Sequence, residues 1–292
     1  MKKVSKRGLL EKRRTIWEKL FFAGFFVVLC VWSFIMLYML FWAVISAFKT
    51  NMEYVNEPLA LPVILHFENF QIAMSKLYHN GVDFWGMLYN SIWQTILPTL
   101  IGTSMTCIIG YIFAHYEFKG KGFLFGVIVF TMIIPIYGSF ASEYKLNFDL
   151  GLNDSYLWLI RSLGGFGGGM LYPYGYYKAM PKEMREAVYM DGGSDYVALW
   201  KVYFPLGRNI FVALSLLGFI GAWNDYTTPL LYMDKMPPLA LGLYNFQQEI
   251  LYVANTPAYF AGTLIVMLPI LLLFIFYSDK IMGQLFSGGL KG

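Results

Sequence analysis

Six long apolar runs constrain this chain more than anything else in it. They extend over approximately 21–48, 84–114, 123–141, 155–177, 209–233 and 257–278. Each reaches the ~18 residues that a helix needs to cross the hydrocarbon of a bilayer. Full charges occur in the fourth and fifth alone, as Arg161 and Asp225. Charged residues make up 14% of the chain and hydrophobic residues 58%, whereas a soluble domain carries about 25% charge. The expected fold class is therefore an all-α integral membrane protein with six transmembrane helices.

The first run follows a basic stretch, but it is too long for a signal peptide and lacks a small-residue cleavage site, so it reads as a retained span. Lys and Arg set the orientation. Lys2, Lys3, Lys6, Arg7, Lys12, Arg13, Arg14 and Lys19 precede the first span. Lys119 and Lys121 sit in the 115–122 turn, and Lys178, Lys182, Arg185, Lys201 and Arg208 in the 178–208 loop. With six spans all of these fall on one side, against Lys49, Lys76, Lys145 and Lys235 on the other. Both termini are expected in the cytoplasm of a bacterial-type cell membrane. The net charge of +4 is accounted for by topology, and no nucleic-acid partner is implied.

Chemistry-bearing motifs are scarce. Cys30 and Cys107 fall inside predicted spans as small packing residues, and His66, His79 and His115 are too scattered for a metal site. No phosphate loop, carboxylate pair or Ser-His-Asp arrangement stands out, so no catalytic residue is expected. The "GGFGGG" at 164–169 lacks the strand and lysine of a nucleotide loop; it reads as glycines that let helices pack closely in lipid. For single aromatics such as Trp158 and Tyr174, packing or an interfacial belt is favoured over ligand stacking.

The most informative polar stretch is "AMPKEMREAVYMDGGSDYVALWKVYFP", 179–205. Pro181 suits a first helical turn, Glu183 and Glu186 sit early in the helix, and Gly192-Gly193 stops it. Met184, Ala187 and Val188 form an apolar stripe. Ser194 is placed to cap a second helix with Val197, Trp200 and Phe204 along its apolar side. The result is a helix-turn-helix between the fourth and fifth spans. It reads either as an interfacial helix on lipid headgroups or as a knob for a groove on a cytoplasmic partner.

This segment resembles the cytoplasmic EAA loop of binding-protein-dependent ABC importers. Glu186-Ala187-Val188, Gly192, Val202 and Phe204-Pro205 stand at the motif's positions, with Val188, Gly193 and Phe204 departing from its usual residues. Asp191-Gly192 and the preceding "MPKEM" resemble the sugar-importer branch, and within it the maltose-type permease. "YNSIWQT" (89–95), "YEFKGKG" (116–122), "GLNDS" (151–155), "WNDYTTPLLYM" (223–233) and the closing "GQLFSGGLKG" resemble further family motifs in the same order.

The resemblance implies a permease subunit with no catalysis of its own. Residues 1–20 would be a basic cytoplasmic tail, 21–283 the six-span permease domain with its coupling loop at about 178–208, and 284–292 a cytoplasmic tail. The implied partners are a homologous permease subunit, two ATPase subunits that use ATP and Mg, an extracytoplasmic solute-binding protein, membrane lipid and a sugar substrate. Glu186, Ala187, Asp191, Gly192, Gly193 and Pro205 would couple to the ATPase, with Glu186 against basic residues of its groove. Asn245 and Gln248, in the external segment 234–256, would contact the binding protein. Gly289, Lys291 and Gly292 would reach the ATPase dimer. Two alternatives stay open: a non-sugar solute, and a secondary transporter, whose marks would be inverted repeats or interrupted spans with ionisable residues at mid-depth, neither of which stands out. A membrane enzyme would need a cluster of His, Asp or Glu at one face.

Overall fold

The computed structural model describes residues 16–133, 140–250 and 255–287, the stretch 278–287 by its backbone alone. The described residues are helical throughout, apart from turns and one isolated bridge between His79 and Val82. Two helices of 32 residues, α1 (Ile16–Ala47) and α4 (Phe84–His115), are each about 48 Å long. A third, α14 (Thr256–Ser287), matches them in length. All three are long and apolar enough to cross a membrane. Pro98 and Pro269 lie inside α4 and α14, as membrane helices tolerate when neighbours satisfy the freed carbonyls.

Short elements complete the chain: α2 (Asn51–Asn56), α3 (Glu68–Lys76), α5 (Lys121–Ile133), α6 (Phe140–Asp149), α7 (Leu171–Lys178) and α8 (Glu183–Met190). After these come α9 (Asp195–Val197), a π-helical turn (Ala198–Tyr203) and α10 (Phe204–Leu206). The last are α11 (Arg208–Asn224), α12 (Thr227–Tyr232) and α13 (Leu239–Ile250). The segment Asp195–Leu206 and α11 pass as a fourth apolar crossing only when joined across a 71° bend. Among the described residues helix length alone thus gives three crossings, or four with the bent pair.

The fourth predicted run is the clearest departure. It is not one helix but a 3-10 helix at Tyr156–Leu163, a glycine-rich break and the eight-residue α7. Glycine is the poorest helix former after proline, so the same residues that permit close packing also interrupt the helix. The close packing is real: a Cβ on Gly165 would lie 2.8 Å from the Met105 carbonyl carbon and the Thr106 nitrogen of α4. Gly110 of α4 brings α7 equally near, since a Cβ there would meet Pro173 Cγ and the Tyr174 nitrogen at 2.9 Å. In place of a long span, the chain lays a folded ribbon against α4.

That helix is the central post, with α7 and α11 along it, the 3-10 helix beside it and α13 across one end. A second post, α14, holds α1, α3 and α13. Leu77, Phe84, Met87, Trp223, Leu239 and Val266 form a buried cluster toward the start of α4. Cys107, Tyr111, Tyr177, Ala198 and Tyr203 form another toward its end. The indole of Trp223 donates to the Val266 carbonyl at 2.9 Å, fastening α11 to α14.

Most of α1 is uncovered; only Ser46 and Ala47 are buried. Immediately after it, Lys49 is almost fully buried and its Nζ donates to the carbonyls of Glu57 and Pro58, each at 2.9 Å. Thr50 and Glu53 form a reciprocal cap on α2. Asn69 Nδ2 donates to the Ala47 and Lys49 carbonyls at 2.8 Å. Lys49 was expected as one of a few external charges; its role here is to staple a loop. Lys49→Met leaves two carbonyls without their donor, which costs about 2 kcal/mol. The expected result is a lower melting temperature of the purified protein and faster proteolysis within 57–66.

Candidate functional site

Opposite ends of α4 carry the two sets of expected functional residues. At its C-terminal end sits α8, stopped as the sequence predicts. Gly192 has φ +77°, its N–H bonds the Tyr189 carbonyl at 3.0 Å, and the Gly193 N–H reaches the Val188 carbonyl at 2.8 Å. This double closure is the Schellman arrangement. A side chain at Gly192 would sit in a left-handed conformation costing about 1–2 kcal/mol.

Met184 and Val188 of α8 turn inward against the tyrosine cluster, while Ala187, expected in the same stripe, faces outward. Glu183, Glu186, Ala187, Met190 and Asp191 are all exposed, Met190 by 88%. The outward face of α8 is thus acidic around a bare methionine. Its neighbour also departs from expectation. Ser194 occupies the N-cap position, but its side chain makes no capping bond. The inward residues are Ala198, Leu199, Val202 and Tyr203, rather than the stripe of Val197, Trp200 and Phe204. The π turn slips the register. Pro205 brings no N–H and presses its ring toward the carbonyl four residues back, which accounts for the widened helix before it. Trp200, 38% exposed, packs between Tyr196 and Phe204 on the outside, its ring tilted against both.

Arg185 pins α8 to the spans. Its Nη1 donates to the His115 carbonyl at the end of α4 at 2.8 Å, and Nε and Nη2 donate to Asp195 Oδ1 at 3.2 and 3.0 Å. Its guanidinium lies 4.2 Å from the centre of the Tyr116 ring. The Tyr189 hydroxyl donates to the same Asp195 carboxylate. Hydrogen bonds from Tyr189 and Tyr116, with Arg185 beside them, hold the Asp195 carboxyl below its ordinary range. Because the folded pKa is depressed, the stabilisation is complete at neutral pH and is lost as pH falls through the folded value. His115, Lys182, Arg185, Glu186 and Tyr189 line a cleft of about 250 Å³ on this surface.

At the other end of α4 the recognised motifs become fasteners for the loop ahead of α13. Asn90 Nδ2 donates to the Pro237 carbonyl at 3.1 Å and Gln94 Nε2 to the Met236 carbonyl at 2.7 Å. Ser91 Oγ accepts from the Leu239 N–H at 2.7 Å, so α13 is capped from another helix. Asp154 Oδ1 accepts the Lys235 N–H at 2.7 Å. These roles of "YNSIWQT" and "GLNDS" join residues about 80 to 150 positions apart and left no local signal.

α13 presents Leu239, Leu241, Gly242 and Phe246 to the core. Gln248 is exposed, as expected of a contact residue, together with Gln247. Asn245 is not free: its Nδ2 meets His79 Nδ1 at 2.9 Å, and His79 Nε2 meets Asp234 Oδ1 at 2.9 Å. Lys76 pairs with Glu249. Gly289, Lys291 and Gly292 lie outside the described residues, and α14 extends to Ser287, through the start of the expected tail.

The two charges in the apolar runs have local partners. Asp225 Oδ1 accepts the Thr227 and Thr228 N–H groups at 3.0 Å, capping α12. Arg161 pairs with Glu143 and lies 4.2 Å from the Trp158 ring centre. Trp158 and Tyr174 are packing residues: the first touches Tyr232, the second Phe125. Among the described residues no cluster of His, Cys, Asp or Glu is grouped to hold a metal.

Comparison with known proteins places these features in a family. Residues 106–278 match the model described as "Binding-protein-dependent transport system inner membrane component". The arabinooligosaccharides transport system permease protein AraQ of Bacillus subtilis (strain 168) is 24% identical over 273 residues, 92% of this chain and 94% of that protein. The diacetylchitobiose uptake system permease protein NgcG of Streptomyces coelicolor is 25% identical over 266 residues, 89% and 86% of the two chains. A chain from the crystal structure of a bacterial ABC transporter involved in the import of the acidic polysaccharide alginate shares the fold. Its TM-score is 0.71 at 22% identity, over 91% of this chain and 98% of that one. With the family match spanning more than half of its length, this chain belongs to the inner-membrane components of binding-protein-dependent transport systems, and is a permease subunit of an ABC importer.

Proposed function

We propose that this permease imports a sugar or oligosaccharide delivered by an extracytoplasmic solute-binding protein, with ATP hydrolysed on two separate ATPase subunits and a homologous permease completing the pathway. The observation that carries the reading is the outward acidic face of α8, locked through Arg185 to the end of α4 while the exposed glutamines of α13 lie at the opposite end. A surface for a moving partner at one end and one for a delivering partner at the other is what such an importer requires. The names of the relatives supply the sugar. In this reading the ribbon of the 3-10 helix with α7, and the apolar run that includes α5, complete six crossings. The tails 1–20 and 284–292 are then cytoplasmic, and Gly289, Lys291 and Gly292 reach the ATPases.

The coupling assignment puts Glu186 in the groove of the ATPase, flanked by Ala187, Asp191 and the Gly192-Gly193 turn, with Pro205 closing the second segment. Glu186→Lys is expected to lower solute-stimulated ATP hydrolysis by the assembled importer roughly tenfold, the equivalent of one charged contact of about 1.4 kcal/mol, with unchanged melting. Full stimulation in the Lys variant would place α8 on lipid instead. A secondary transporter is disfavoured because both charges in the apolar runs have local structural roles, Asp225 as a helix cap and Arg161 in a pair with Glu143.

For the delivering partner, Gln248 is the better reporter, since Asn245 is held by His79. A photocrosslinker at Gln248 is expected to capture the binding protein when ATP is bound, and one at Asn245 to do so far less. Equal failure at Gln247 and Gln248, with efficient capture elsewhere on the external surface, would make α13 a lid over the cavity.

A further inference from the structure

Between α2 and α3 the chain contains a segment that composition assigns to no partner. Residues 58–65, "PLALPVIL", hold no polar side chain, yet Leu59, Leu61, Val63, Ile64 and Leu65 are all exposed, Val63 by 85%. Phe67 adds a further exposed ring. So contiguous an apolar surface needs a cover.

The ends of this strap fix its depth. The Trp42 indole donates to the Pro58 carbonyl at 2.8 Å, and Trp42 lies five residues before the end of α1, roughly 7 Å back along its axis. Helical side chains lean toward the N-terminus, which draws Pro58 still closer to the middle of the span. Lys49 Nζ grips the Glu57 and Pro58 carbonyls from within. The strap returns at His66, whose N–H bonds the Phe48 carbonyl at 3.0 Å, and Phe67 stacks edge-on against Phe48. Trp42, Tyr54 and Phe260 cluster where it begins, and Trp and Tyr mark the level of the headgroups. The strap therefore leaves the outer end of α1, hangs beside its last turns and climbs back.

We propose that residues 58–65 are a membrane-interfacial strap, their aliphatic side chains seated in the outer leaflet at the boundary of headgroups and acyl chains. The uncovered turns of α1 before its buried end, with Phe41 and Val44 exposed, continue the same apolar surface. Irregular backbone does not enter the hydrocarbon core facing lipid, which sets the boundary region as the limit of its depth, about 5–10 Å in. A transient water-soluble partner suits it poorly. The strap carries none of the Tyr, Trp or Arg anchors that concentrate binding energy, and each undocking would return its bare aliphatic surface to water. Lipid covers it at all times.

The test uses the assembled permease and ATPase subunits in lipid nanodiscs without the binding protein, so that Gln248 stands in water. Cys30 and Cys107 are replaced by Ala, and an environment-sensitive fluorophore is attached at Val63→Cys, in a second preparation at Leu61→Cys, and as an aqueous control at Gln248→Cys. Lipids bearing a nitroxide near the headgroup are expected to quench the Val63 and Leu61 labels about twofold, more than lipids with the nitroxide at the chain end, given a site at the interface. Iodide should quench the Gln248 label and spare both strap labels. Two results overturn the proposal: iodide quenching on the strap equal to that at Gln248, which puts it in water, or insensitivity of both strap labels to every quencher, which puts it under the other permease subunit.

Discussion

Arg185→Ala is expected to cut ATP-driven import roughly tenfold or more while the spans stay folded. The side chain makes one hydrogen bond to the end of α4, two to Asp195 and a stack on Tyr116, and hydrogen bonds involving charged groups are worth about 1.5–3 kcal/mol each. Few substitutions elsewhere would remove so much from so small an element as α8. With the pin gone, the packing of Met184 and Val188 and the hydrogen bonds of Tyr189 and Tyr116 to Asp195 remain, but the bond to the His115 carbonyl is lost, so movement of the loop is delivered less firmly to the spans. Arg185→Lys retains charge and loses the planar fork; it should fall between the two. The decisive comparison is import in proteoliposomes against ATP hydrolysis in the same preparation: hydrolysis should outlast import. Equal loss of both, with melting unchanged, would mean that Arg185 serves ATPase docking. A parallel check uses acid. Protease protection of 183–206 should hold at neutral pH and fall only once pH drops below the ordinary aspartate range of about 4, because the folded Asp195 titrates lower still.

Gly110→Val should do comparable damage by another route. Its Cβ would sit 2.9 Å from Pro173 Cγ and from the backbone nitrogen of Tyr174, and a backbone atom cannot swing aside. Overpacking costs about 1–3 kcal/mol, and an immovable obstacle puts this case at the upper end. A fall of roughly 6 °C or more in melting temperature is expected, with less monodisperse protein recovered in detergent. Gly175→Ala, on the same face-to-face pair but with nothing within 4 Å of its Cβ, is the control and should be neutral. Matching behaviour of the two variants would show that α4 and α7 separate easily.

The parts legible in the sequence were those whose signals are local. α1, α4 and α14 are uninterrupted apolar stretches, and the Gly192-Gly193 stop announced the end of α8. The 164–169 glycines were legible as packing residues but not as a break, because the absence of a Cβ serves both ends at once. At the second coupling segment the expected stripe of Val197, Trp200 and Phe204 assumed an ordinary helical period, and the π turn ahead of Pro205 moved the inward positions to Ala198, Leu199, Val202 and Tyr203. Asn245 looked available because its partner, His79, stands 166 residues away. The resemblance located "YNSIWQT" and "GLNDS" without saying what they hold; their bonds to 232–239 needed the fold.

The 71° bend at Gly207 has a mechanical consequence. A Cβ on Gly207 would lie 2.7 Å from the Tyr177 hydroxyl, so α7 is packed directly against the joint. Asp195–Leu206 forms one arm, shortened by its π turn, and α11 the other, about 25 Å long. A joint that keeps its angle is a bell crank: sideways travel imposed at Asp195 reaches Asn224 enlarged, because its arm is the longer, and in a direction turned through the bend.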